Sequence, residues 1–180
     1  MTCYSLFSRI ACFSVFGFPC VADEVAIGAF DLTVDAQAIT LQSYYFAEDD
    51  FSDLTFDDSF GIKTYHVSAS SDEGLPLLDV TLQEGSVIGD LQVVGVTFID
   101  QDYDTALAAT VLEAGGVAIE GLGLIADEAV QLDADGTISF SFSADLIRIN
   151  LDTETPIAGD DGARIKARFA GQFPASELNE

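Results

Sequence analysis

"GTISFSFSAD", residues 136–145, alternates apolar and polar side chains with a period of two. Ile138, Phe140 and Phe142 fall on one side, and Ser139, Ser141 and Ser143 on the other. An extended chain sends successive side chains to opposite faces, so this stretch reads as a strand with one greasy and one wet face. Past Asp145 the apolar phase moves to Ile147, Ile149 and Leu151. A shift of one residue predicts a bulge or turn near Ala144–Asp145. The same shift occurs early, where Val25, Ile27 and Ala29 give way to Phe30, Leu32 and Val34.

Working outward, most of the chain repeats this pattern. "LLDVTLQEG" (77–85) puts Leu78, Val80 and Leu82 on one face, and "ARIKARFAGQF" (163–173) does the same with Ile165, Ala167, Phe169 and Phe173. "LQVVGVTFI" (91–99) is apolar on both faces, as a central strand is. Asp-Gly pairs in "DADGT" (133–137) and "GDDGA" (159–163) supply the positive φ of tight hairpin turns. One segment reads two ways. Asp104 can cap "TALAATVLEA" as a short helix near 105–114 ended by Gly115, or Thr110-Val111-Leu112 can draw it into a strand. "DLTVD" (31–35), "DLTFD" (53–57) and "DVTLQ" (79–83) recur, but the recurrence stops there and does not make a solenoid. The expected fold is all-β: an antiparallel β-sandwich of about eight to ten short strands.

The first 22 residues, "MTCYSLFSRIACFSVFGFPCVA", read as a cleaved export signal. Arg9 precedes an apolar run from Ile10 to Phe18, Pro19 breaks it, and Cys20 and Ala22 put small residues at the cleavage positions. That run is shorter than the about 20 residues a membrane-spanning helix needs, and charges or glycines interrupt every later one. Cys3, Cys12 and Cys20 all lie inside this segment. Residues 23–180 are therefore expected to form one exported domain without disulfides, held by burial alone. The expected location is the periplasm, the cell surface or the exterior of a bacterium.

The chain has 31 Asp+Glu against 6 Lys+Arg, a formal net charge of −25. Such a surface repels phosphate backbones, so nucleic acid is excluded as a partner. It also keeps the protein hydrated and dispersed in salt. The expected partner is a protein or another component of the cell envelope.

Carboxylates are the abundant chemical resource, so a cation such as calcium is the cofactor to consider. "IDQDYD" sets Asp100, Asp102 and Asp104 at every second residue, which in extended chain puts them on one face. "FAEDDFSDLTFDDSF" (46–60) adds Asp49, Asp50 and Asp53 between Phe46, Phe51, Phe56 and Phe60. These six are the candidate metal ligands. For the second stretch the simpler account is a wet connection anchored by its rings, each worth about 1.5–3 kcal/mol when buried. "QLDADGTISFSF" (131–142) mimics a calcium loop, but Gln131 and Phe142 stand where ligands belong. "GLGLIA" (121–126) matches a dinucleotide fingerprint and lacks the following helix, so closely packed strands explain its glycines better.

Among the cations, Arg164, Lys166 and Arg168 alternate along the last strand and share one face. They pair with carboxylates on neighbouring strands, guard an edge, or hold an anionic ligand or partner. Nucleophilic catalysis lacks its parts: there is no cysteine beyond Cys20 and one histidine, His66, which alternation turns outward. A hydrolase working through two carboxylates is the remaining catalytic option. The expectation is a non-catalytic interaction or structural module, with cation binding as the alternative.

Overall fold

The computed structural model describes residues 24–47, 51–58, 61–85, 90–110, 123–175 and 177. Residues 1–22, read above as an export signal, with their three cysteines, and Asp49, Asp50, Phe60 and the stretch 111–122 lie outside the described residues. Among the described residues twelve strands form one antiparallel sheet. They are β1 (Glu24–Val34), β2 (Gln37–Phe46), β3 (Phe51–Ser52), β4 (Leu54–Asp57), β5 (Thr64–Ser70) and β6 (Leu77–Glu84). They continue with β7 (Leu91–Ile99), β8 (Thr105–Thr110), β9 (Leu124–Leu132), β10 (Thr137–Asn150), β11 (Thr155–Pro156) and β12 (Ala163–Gln172).

The sheet closes on itself. From β2 it runs through β1, β12, β10, β8, β7, β6 and β5, and the pairing of Gln42 with Ser70 returns it to β2. This is an eight-stranded barrel with added strands, and it corrects the expected sandwich. Strands β5, β6 and β12 do bury one alternate set of side chains each, as the alternation required. A sandwich and a barrel satisfy that pattern equally, and only the long-range seam between β2 and β5 separates them. Closure removes the free edges that a sandwich would leave.

Two short insertions complete the wall. Between the diverging ends of β2 and β5, β3 pairs with β2 and β4 with β5. Between β7 and β10, one stave is shared. β8 faces residues 147–150 of β10 and β9 faces residues 138–145. Both run antiparallel to β10, and they meet at a parallel bridge between Ala109 and Gly123. A Cβ on Gly123 would stand 1.7 Å from the Asp145 carbonyl oxygen, so only glycine fits this junction. The helix option fails for Thr105–Thr110, because that segment is pinned between β7 and β10 as a strand. "GLGLIA" likewise leads into strand β9, not a helix.

Inside, Phe30, Phe169 and Phe140 lie in register across β1, β12 and β10. Their ring centroids are 4.6–5.6 Å apart, and all three are buried. Leu41, Leu54, Val67, Leu78, Val80, Leu82 and Ile165 are fully buried around them. Gly28 and Gly171 face each other beneath the Phe169 ring, where a Cβ would meet it at 2.4 and 2.6 Å.

Of the two expected shifts in phase, one is a bulge. The β1–β2 register slips between Ala26 and Gly28, which leaves Ile27 as the extra residue. The other is not, which corrects the expected bulge near Ala144–Asp145. The β10–β12 register runs unbroken from Thr137 to Leu146, so the even positions keep pointing inward. Arg148 takes the next inward place, opposite the core residue Leu107. Ile149 points outward into a second cluster with Ile99, Ala106 and Ala108, covered by Leu75, Leu77 and Leu151. The apolar phase changes because the barrel core ends there and an outer cluster begins.

Candidate functional site

Each group of residues singled out by the sequence has a definite place on the barrel. On β12 every odd position from Ile165 to Phe169 is buried, and Arg164, Lys166 and Arg168 are exposed on the outer wall. The expected shared face is therefore present. Register places Thr33 of β1 and Ser143 of β10 on either side of Lys166. Asp31 and Ser141 flank Arg168 in the same way. Arg164 makes an exposed ion pair with Asp145 at 3.4 Å. Lys166 and Arg168 take part in none of the ion pairs among the described residues. With Asp31, Thr33 and Ser141 they line a shallow groove of about 430 Å3.

The carboxylates of 100–104 lie in an irregular loop between β7 and β8, not in extended chain. They do not converge. Asp100 accepts two hydrogen bonds from Arg148, at 3.0 and 2.9 Å. Asp102 accepts the backbone N–H groups of Asp104 and Thr105 at 3.0 and 3.2 Å, and so shapes the entry to β8. The Asp104 carbonyl accepts the N–H of Leu151. Among the described residues no three His, Cys, Asp or Glu side chains gather closely enough to hold a metal ion.

Asp53 sits at the tip of the β3–β4 insertion and zips the wall. Its N–H donates to the Tyr44 carbonyl at 2.9 Å, and its own carbonyl accepts the N–H of Ser68 at 2.8 Å. Its carboxylate accepts the N–H of Tyr44 at 2.7 Å. One residue thus stands in for a ladder position on both β2 and β5. Burial raises its pKa to about 6, against the opposing hydrogen bond from Tyr44, with Glu24 adding to the rise. Of the rings expected to anchor this stretch, Phe56 packs on Tyr65 at 4.9 Å, whereas Phe51 touches Phe46 at 5.8 Å but is left exposed, which corrects its expected role as an anchor.

Two residues carry more than the sequence reading gave them. Arg148 points into one end of the barrel, where its Nη atoms grip Asp100 and its Nε donates to Asp160 at 3.2 Å. The hydrogen bonds from Arg148 hold the Asp100 carboxyl below the usual carboxylate range, and Asp100 in turn raises Arg148. This network ties the loop after β7 to the turn before β12. The signal was the unbroken even phase of β10, which assigns Arg148 to the inside. Elsewhere, Asp133, Asp135 and Gly136 form a plain hairpin turn, with Gly136 at φ 85° and Asp135 accepting the N–H of Thr137. His66 points outward between buried Tyr65 and Val67 and meets the Thr81 hydroxyl at 3.4 Å. No family model, curated protein or solved structure matches this chain.

Proposed function

We propose that this chain is an exported, acidic, non-catalytic β-barrel that serves as an interaction module in the cell envelope or outside it, docking through the outer wall around β12. One observation carries the reading: among the described residues Lys166 and Arg168 stand exposed and take part in no ion pair, in a chain with 31 Asp+Glu. Lys166 lies between Thr33 and Ser143, and Arg168 between Asp31 and Ser141. The two cations suit a carboxylate- or sulfate-bearing partner and would fix its register on an otherwise repulsive surface. The packed interior supports a role played on the outside. So does the polar outward face of β12 and β10, since a membrane-spanning barrel turns its apolar face outward.

The test compares the wild-type protein with a Lys166→Gln/Arg168→Gln double variant for retention on the source organism's envelope fraction. Both changes lie on the exposed wall, so folding is preserved. The reading expects salt-sensitive retention of the wild type and about tenfold weaker retention of the variant. Equal retention of both removes it.

A further inference from the structure

The end of the barrel that holds Arg148 is open. A cleft of about 630 Å3 lies there, between the β1–β2 hairpin and the loop after β7. Ile39, Phe98 and Leu107, all part of or packed on the core, give it an apolar floor. Asp35, Asp100 and Arg148 supply polar groups at its edge. A greasy floor with a few convergent polar groups, in the mouth of a barrel, is the setting in which small ligands bind. The size falls within the roughly 300–1,000 Å3 of such sites.

Charge selects the ligand class. Arg148 is already committed, because Asp100 takes its Nη donors and Asp160 its Nε donor. Asp35 lines the opposite edge, where one carboxylate oxygen accepts the N–H of Arg164 at 3.0 Å. No ion pair among the described residues neutralises it. One guanidinium thus serves the carboxylates of Asp100 and Asp160, and Asp35 adds a third carboxylate at the cleft edge. An incoming carboxylate meets a net negative edge, and an incoming ammonium meets an attractive one.

We propose that this cleft binds a small amphipathic cation, with its ammonium at the Asp35 carboxylate and its apolar body over Ile39, Phe98 and Leu107. The site is separate from the β12 wall, so its fate does not depend on docking there.

Nuclear magnetic resonance titrations of the protein with hexylammonium, hexanol and hexanoate test it. Saturable shifts at Ile39, Phe98 and Leu107 are expected with hexylammonium, weaker binding with hexanol by about fivefold, and none with hexanoate. Gln37→Trp, on the exposed rim and in register with Val34 of the cleft lining, should fill the entrance and abolish the shifts. Asp35→Asn keeps an acceptor that the tight turn tolerates, removes the charge, and should bring hexylammonium down to the level of hexanol. Hexanoate binding as tightly as hexylammonium overturns the proposal. So does folded Gln37→Trp protein that binds like wild type, or the absence of saturable binding at these residues.

Discussion

At the scale of single residues, two carboxylates with opposite pKa shifts give opposite responses to acid. Asp100 is depressed by Arg148, so its stabilising contribution is present above the unfolded carboxylate range and is lost as pH falls through its folded pKa. Asp53 is raised from 3.8 to about 6, so the folded state holds its proton more tightly. Its contribution is full below about pH 4 and is lost as pH rises through about 6. Asp53→Asn keeps the acceptor for Tyr44 without the charge. Chemical denaturation between pH 4 and 7 should show a flatter profile for this variant, and at least wild-type stability at pH 7. Arg148→Met strands Asp100 and Asp160 at the barrel end. The Arg148 and Asp100 side chains are only about one-fifth exposed, so the loss should be about 2–4 kcal/mol by urea unfolding. The sequence placed neither effect. Asp53 stood among too many carboxylates to be singled out, and Arg148 was hidden by the apolar residues on either side of it.

At the scale of elements, strand identity was legible and strand interruption was not. The alternations at 77–85, 136–143 and 163–173 name the inward residues correctly, because one greasy face per strand is all they have to encode. A bulge in β1 was also readable, since an inserted residue must flip the pattern, but the apolar residues put the flip at Ala29–Phe30 and the register puts it at Ile27. The false bulge in β10 arose because an outer cluster around Ile149 gives the same sequence signal. The split stave was out of reach, as it depends on where β8 and β9 meet. Gly123 marks that meeting. Gly123→Ala drives a Cβ into the Asp145 carbonyl, so it should cost about 2–4 kcal/mol. Hydrogen exchange should show the loss first in the amides of β9, with β12 still protected.

At the scale of the whole molecule, closure and packing hold the described residues together, none of which is a cysteine. The Phe30–Phe169–Phe140 row is the centre of that packing, and Phe51 is an exposed ring outside it. Phe169→Ala should lower stability by about 3–5 kcal/mol, and Phe51→Ala by under about 1 kcal/mol, both read from denaturant midpoints. Fold class followed from period and turn chemistry, but the choice of barrel over sandwich rests on the seam between β2 and β5, distant in sequence. The β12 stripe was legible as a shared face, and which of its cations pairs was not, because pairing depends on which strands stand beside it. The seam between β2 and β5 is therefore the place to look. Cross-strand nuclear Overhauser contacts between Gln42 and Ser70, alongside those joining β8 to β10, are the result a closed barrel predicts. Contacts across β8 and β10 with none between Gln42 and Ser70 would mean an open sheet or two separate ones, and would contradict it.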